Sequence, residues 1–252
     1  MRRSAVVVRD VNIPIAGLPR SLDGLRIAHV SDLHFRAWNA VHQAAQDRLA
    51  SLDYDLLVAT GDFAGKPRQW ELAAELMCRF FGPLADSAPT YGVLGNHDEP
   101  LIATVPDLPL TLLRNRSIPV ELRGTTVEMA GVEQNFRDGE DLEGTLHQEP
   151  GHALSVLLAH YPSTVFRVPP GRVDLVLSGH THGGQIRWPL VGCVWTNDKL
   201  PVRMARGLHR VGPTWLHITA GVGLSAPVYV RINCPADVSV LTLRRLSRAE
   251  AW

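Results

Sequence analysis

An α/β fold is predicted by three features of the chain. Short apolar runs stop abruptly at small or polar residues: Leu25 to Val30 at Ser31-Asp32, Asp55 to Ala59 at Thr60-Gly61-Asp62, and Thr90 to Leu94 at Gly95-Asn96-His97-Asp98. Their near-continuous apolar character suits parallel strands buried on both faces. Stretches with helical spacing lie between them. The chain, 252 residues of which 45% are hydrophobic, is also long enough to bury a sizeable core without disulfides or a structural metal.

In order along the chain, Val41, Ala45, Leu49 and Leu52 recur at helical intervals after the first strand. A second helix is expected from Pro67, a good first-turn residue, with Trp70, Ala74, Met77 and Phe81 on one face. Strand, helix, strand, helix, strand implies parallel pairing through right-handed crossovers. The pattern changes from Pro106 to Glu133. Leu110 to Leu113 reads as a short helix, and Val120 to Leu122 and Val127 to Met129 flank Arg123-Gly124-Thr125-Thr126 as a hairpin. The acidic stretch Arg137 to Glu149 reads as loop plus a short helix with a solvated face. Leu154 to Leu158 and Val173 to Leu177 are two more buried strands, stopping at His160 and at Ser178-Gly179-His180. Trp215 to Ile218, Val228 to Ile232 and Val238 to Leu243 read as the last strands, and with no linker or repeat residues 1–252 are expected to form one domain.

Composition excludes several functions. With 25 Lys+Arg against 25 Asp+Glu, the formal net charge is zero, which disfavours gripping nucleic acid over a broad basic face. Cys78, Cys193 and Cys234 are odd in number and far apart, so neither a disulfide framework nor a thiolate zinc site is indicated. The apolar stretch Ala5 to Val8 ends at Arg9-Asp10, too short for a signal segment, and no apolar run reaches membrane-spanning length. The expectation is a cytoplasmic protein that touches a membrane at most peripherally.

The 11 histidines are the unusual entry in the composition. Five of them, His34, His97, His160, His180 and His182, follow predicted strands, accompanied by Asp32, Asp62, Asn96 and Asp98. The carboxyl ends of parallel strands converge on one crevice, so residues distant in sequence can meet there. Chance supplies roughly 0.65 Asp-x-His matches in such a chain, about 0.04 Gly-His-x-His and about 0.0015 Gly-Asn-His-Asp. Coincidence is a poor account of all three in order. The remaining histidines, His29, His42, His147, His152, His209 and His217, have no motif context and read as surface or satisfied core residues.

Asp32-x-His34, Gly61-Asp62, Gly95-Asn96-His97-Asp98, His160 and Gly179-His180-x-His182 together resemble the motif set of the calcineurin-like metallophosphoesterases. A narrower resemblance, from about Ala5 to Leu243, is to the bacterial YkuE/YaeI-like phosphoesterase branch. It rests on Leu22 to Ala28, Leu158 to Pro162, Ser178 to Gln185 and Ile232 to Pro235. Many members of that branch carry an N-terminal signal or anchor, which this sequence lacks. The resemblance implies an α/β/β/α sandwich of two mixed β-sheets flanked by helices. It also implies a ligand allocation: Asp32, His34, Asp62 and His182 around one metal, Asp62, Asn96, His160 and His180 around the second, with Asp62 bridging.

Imidazole and carboxylate donors without thiolate suit Mn, Fe or Zn, with Mn favoured, and seven donors are too many for one tetrahedral zinc. The expected function is a dimetal-dependent phosphoesterase that hydrolyses phosphodiester or pyrophosphate bonds by direct attack of a hydroxide held between the metals. His97 is the expected general acid, with Asp98 orienting its ring. The alternatives are a lipid pyrophosphatase acting on a UDP-2,3-diacylglucosamine-type substrate, a cyclic-nucleotide phosphodiesterase, and a non-catalytic metal-binding scaffold. Gly65 stands where the family's pattern has a second aspartate, followed by Lys66, which weakens a phosphoprotein phosphatase reading. The apolar segment Ile186 to Trp195 either packs as core or forms a hydrophobic rim beside the metals, with Arg187 steering phosphate.

Overall fold

The computed structural model describes residues 6–246 apart from 136, 138, 148–151 and 227. Two six-stranded sheets lie face to face. The first takes β1 (Val7–Ala16), β2 (Arg26–Val30), β3 (Leu56–Thr60), β4 (Thr90–Val93), β5 (Thr111–Leu112) and, from the far end of the chain, β14 (Asp237–Leu246). Its order is β1-β14-β2-β3-β4-β5, with β2 to β5 parallel and β14 antiparallel to β2. The second takes β6 (Arg116–Leu122), β7 (Thr125–Gly131), β8 (Ser155–Leu158), β9 (Leu175–Ser178), β12 (Gly207–Val211) and β13 (Thr214–Ile218). Its order is β12-β13-β9-β8-β7-β6, parallel from β13 to β7 and antiparallel at both edges. Between β9 and β12 a two-stranded ribbon, β10 (Arg187–Trp188) and β11 (Gly192–Cys193), stands apart from both sheets.

Three apolar layers follow from strands buried on both faces. Ile13, Ile27, Val58 and Leu241 of the first sheet meet Val127, Val156, Leu175 and Leu177 of the second in the central layer, all inaccessible to solvent. The outer face of the first sheet packs under α1 (Ala40–Ala50) and α2 (Trp70–Ala85). Asn39 caps α1 by accepting the Val41 and His42 amides, and Pro67 opens the turn that leads into α2. Pro83 inside α2 has no N–H for the Arg79 carbonyl; Gln46 of α1 supplies the missing donor at 2.8 Å and also bonds the Phe80 carbonyl. The outer face of the second sheet has thinner cover: the single-turn α3 (Leu142–Thr145) and 3₁₀ turns at Pro162–Arg167 and Val202–Met204. Of the predicted Arg137 to Glu149 loop, which contains α3, residues 138, 148 and 149 lie outside the described residues.

Two expectations are corrected. Leu110 to Leu113 is not a helix but contains the edge strand β5, since two residues paired to β4 satisfy more backbone than half a turn of helix. Val228 to Ile232 is not a strand: it makes one isolated bridge, Ile186 to Ile232, and most of its side chains face solvent. The edge strands β1 and β12 were not anticipated.

Candidate metal centre

The loops that follow β2 and β3 continue side by side past the sheet. The Asp32 amide bonds the Gly61 carbonyl, His34 bonds Asp62, and Phe35 bonds Phe63, at 2.7 to 2.9 Å. Each loop must then turn its side chains inward within two or three residues. Asp32, His34, Asp62, His180 and His182 all adopt left-handed backbone conformations, with φ between 44° and 66°. Non-glycine residues rarely sit there, and such strain concentrates at functional sites. Gly61 allows the close approach of the β3 and β4 loops, because a Cβ on it would lie 2.6 Å from the Gly95 amide nitrogen. Gly179 serves the same purpose between the sheets, where a Cβ would collide with the Ser31 hydroxyl and the Asp32 carboxylate.

Three overlapping groups result, two of them built from the expected ligands and the third joining His97 to His34 and Asp62. Asp32, His34 and His182 converge in one, with His34 Nε2 3.0 Å from His182 Nε2 and His182 Nε2 3.3 Å from Asp32 Oδ1. Asp62, His160 and His180 converge in the second, with His160 Nε2 3.4 Å from Asp62 Oδ1 and 3.1 Å from Asn96 Oδ1. Asp62 also reaches back to the first cluster, its Oδ2 lying 3.5 Å from His34 Nε2. Each group of three could hold a metal ion.

The donor chemistry fits cations. A carbonyl only accepts, so a ring nitrogen facing one carries the proton. His160 Nδ1 donates to Thr60 O at 2.7 Å, His34 Nδ1 to Ala64 O at 3.3 Å, and His180 Nε2 to Asn197 O at 2.8 Å. In the neutral His34 ring Nε2 then turns its lone pair toward the Asp62 carboxylate and His182, while His160, protonated beside Asp62, donates from Nε2 to Asn96 Oδ1 and Asp62. A His34 lone pair facing a carboxylate, beside ring protons that a bound cation would displace, suits a shared positive centre, and backbone partners that fix the ring tautomer are what a ligating histidine needs.

Electrostatics agree. Burial lowers His34 to about 3 and His180 to about 4, and drives His182 well below its ordinary value. Burial raises Asp32 to about 7, with the Asp62 charge adding to it. Against its own burial, Asp62 is held well below the usual carboxylate range by His160, which the same pairing raises to about 9. Asp62 is therefore the persistent negative charge at the centre, paired with a protonated His160 and flanked by the neutral rings of His34, His180 and His182.

His97 is half-buried, its ring edge-on to His34 with centroids 4.9 Å apart, and its amide donates to Asp62 Oδ1 at 2.8 Å. Asp98 is fully buried. Its Oδ1 accepts the Ala64 amide at 2.7 Å and its Oδ2 the Gly95 amide at 2.8 Å, so its bonds among the described residues go to backbone, not to the His97 ring. It ties the β4 loop to the β3 loop. The six histidines without motif context include a buried pair joining the sheets, with His29 Nδ1 3.0 Å from His217 Nδ1, and His42, which bonds the Leu33 carbonyl.

Two neighbours escaped sequence reasoning, and a third, Trp195, stood only within the segment expected as core or rim. Arg231 threads a guanidinium onto the carbonyls of Ala220, Gly221 and Gly223 and reaches His182 O at 3.4 Å. Tyr161 sets its ring edge-on to His180 at 4.5 Å, and Trp195 lines the same crevice. Only an adjacent Pro162 and a tryptophan in an apolar run hinted at the last two; an isolated Arg231 carried no signal. Arg187 does not line the crevice. It bonds the Gly183 carbonyl at 3.1 Å and so fastens the ribbon to the His182 loop. The Ile186 to Trp195 segment is an exposed rim, not core, with Trp188 60% and Leu190 fully exposed.

Comparison with known proteins places these residues in a family context. The calcineurin-like phosphoesterase family model matches residues 25–184. An uncharacterized metallophosphoesterase of Bacillus subtilis, YkuE, is 27% identical over 90% of this chain and 82% of its own length. The phosphodiesterase YaeI of Escherichia coli is 30% identical over 86% of this chain and 82% of its own length. Among solved structures, the NAD nucleotidase of Haemophilus influenzae superposes with a TM-score of 0.52 at 12% identity, over 79% of this chain. The chain spans half the length of that nucleotidase, and the likeness is one of fold.

Proposed function

The chain belongs to the calcineurin-like phosphoesterase family, as a metal-dependent phosphoester hydrolase, and from that premise we propose that it cleaves phosphodiester or pyrophosphate bonds at a two-metal centre. The observation that carries the reading is the position of Asp62, between two clusters each of which could hold an ion. Asp32, His34, Asp62 and His182 would hold one ion, and Asp62, Asn96, His160 and His180 the other. Two bound divalent ions supply Lewis acidity toward the phosphoryl oxygens and make water nucleophilic at neutral pH. The crevice built from both sheets also supports one domain over residues 1–252.

The remaining work falls to the protein's own groups. Asp62 fixes the His97 amide and hence the start of the His97 side chain over the first cluster. The half-buried His97 ring delivers a proton from its free nitrogen to the departing oxygen. Asp98, through the two amides it accepts, holds the Asn96-His97 turn at the height at which that transfer is possible. Beside His34, a groove of about 290 Å³ lined by Arg36, Asn39, Leu224 and Tyr229 leaves room for the group beyond the phosphorus. Mn is the ion we favour, on the oxygen and imidazole donor set.

A second reading, a lipid-linked pyrophosphate substrate of UDP-diacylglucosamine type, is favoured by the exposed apolar rim next to the crevice. The two share their test. Chelator-treated protein should lose turnover of an aryl phosphodiester and recover it with manganese. His97→Ala should keep its metal content while losing roughly 10²- to 10⁴-fold in rate, most for poor leaving groups. Turnover by metal-free protein overturns the mechanism, and collapse of metal content in the variant makes His97 a ligand.

A further inference from the structure

Nine of the twelve large apolar side chains that stand exposed among the described residues fall in two short segments, 188–195 and 228–232. The backbone joins these segments. The Arg187 amide bonds the Ile232 carbonyl at 3.0 Å, and the Ile232 amide bonds the Gln185 carbonyl at 2.9 Å. Trp188, Leu190, Val191, Tyr229 and Ile232 therefore belong to one continuous surface, and Trp195 carries it to the mouth of the metal crevice. A patch of this kind is not the scatter of single apolar residues that any surface shows.

The tip of the ribbon adds an independent sign. Trp188 pairs with Gly192 around Pro189, Leu190 and Val191. Leu190 adopts φ 66°, a conformation that turns normally give to Gly or Asn, and its side chain touches nothing that would repay the strain. No packing among the described residues accounts for a leucine there.

Charge suggests a partner. In a chain of zero net charge, residues 185–206 and 223–234 expose Lys199 and Arg203 and half-expose Arg187 against the single acid Asp198, and Arg36 lies exposed over the Tyr229 ring, while Arg206 and Arg231 are turned inward. A projecting ribbon tip with aliphatic residues, tryptophans on its flanks and a surplus of cations matches the interface of an anionic bilayer, where tryptophan sits at headgroup depth and cations meet the surface potential. We propose that the ribbon and the 228–232 segment dock this protein on an anionic lipid surface, with Trp188 and Leu190 entering the headgroup layer and the crevice mouth facing it. The inference deepens the phosphoesterase reading, since it makes a substrate presented at a membrane surface the preferred one, but the docking does not depend on catalysis.

The test separates the two. Protein held in chelator is floated with vesicles of phosphatidylcholine alone or of phosphatidylcholine mixed with phosphatidylglycerol. Association with the anionic vesicles is expected, weakening in high salt. The double variant Trp188→Ser, Leu190→Ser should associate at least roughly tenfold less, and Leu190→Phe should associate as the parent does. Manganese-dependent hydrolysis of a soluble aryl phosphodiester, unchanged in these variants, shows that they are folded. Equal flotation of the double variant, or no association of the parent, overturns the proposal. So does a parent dimer in light scattering that the double variant splits into monomers, because the rim is then a contact between copies. Loss of hydrolysis with flotation intact condemns the phosphoesterase reading and supports the docking.

Discussion

Left-handed non-glycine backbone recurs in several turns of this molecule, at Asp107, Asn115 and Arg123 among others, but the crevice and the ribbon tip hold theirs in opposite ways. In the crevice, Asp32, His34, Asp62, His180 and His182 are all buried, and each is enclosed by hydrogen bonds from neighbouring loops. At the ribbon tip, Leu190 has the same kind of φ with no enclosure at all. Inside, packing from both sheets overdetermines the geometry, so strain is the means by which short loops aim five donors at one point. Outside, nothing in the fold selects the conformation or the residue. The difference teaches that the same backbone strain is repaid by packing within the chain in the first place and is left unrepaid by it in the second.

The sharpest way to break the comparison is to empty the centre. Asp62→Asn removes the one charge common to both clusters, and a fall in turnover on the order of 10⁴-fold, with loss of bound manganese by elemental analysis, is expected. Activity within tenfold of the parent means the crevice is not organised around Asp62. Next comes the enclosure itself. Gly61→Ala drives a Cβ toward the Gly95 backbone at a φ of 89°, and chemical denaturation should show a loss of roughly 1 to 3 kcal/mol. An unchanged midpoint implies loops that give way easily, contrary to the account of a tightly packed crevice.

A third case lies between the extremes. His217 is buried against His29 between the sheets, and burial lowers it to about 4 from 6.5. Its neutral form is the folded form, so the unfolded chain takes up the extra proton, and stability present above pH 6.5 is lost as pH falls toward 4. Thermal melts of the chelated protein should decline through that window, and His217→Gln should flatten the decline. A slope identical to the parent's assigns the acid sensitivity elsewhere. The smallest effect is at the rim. Leu190→Asn accepts the left-handed conformation readily and should stabilise by up to about 1 kcal/mol, with turnover of a soluble substrate unchanged. Destabilisation means that Leu190 packs against something after all.

Which parts of this were legible in the sequence follows from burial. β2, β3, β8 and β9 are buried on both faces and announced themselves as near-continuous apolar runs, β2 interrupted only by Arg26 and His29. The edges did not. β1 carries Arg9, Asp10 and Asn12 on its half-exposed length, β12 carries His209 and Arg210, β5 is two residues long, and only the last part of β6 was read. An edge strand answers to one neighbour and to solvent, so its pattern is diluted. The opposite error came from Val228 to Ile232, where β-branched residues serve a surface and not a sheet. The site was legible because its residues recur in short fixed motifs after strands. What could not be read was what surrounds them: the carbonyls of Thr60, Ala64 and Asn197, which set the ring tautomers, and Asp98, whose bonds are to amides.

The crevice draws its donors from both layers of the sandwich: Asp32, Asp62 and Asn96 from the ends of the first sheet, His160, His180 and His182 from the ends of the second. Ions held there would rivet one layer to the other. Neither sheet alone contains a competent half, and a slip of one layer past the other by a single residue spacing separates the two donor sets. The chemistry is thus licensed by assembly. On the two-metal reading, a chain with one sheet formed, or with its layers parted, would hold only half of the donor set, so hydrolysis would belong to the fully assembled sandwich.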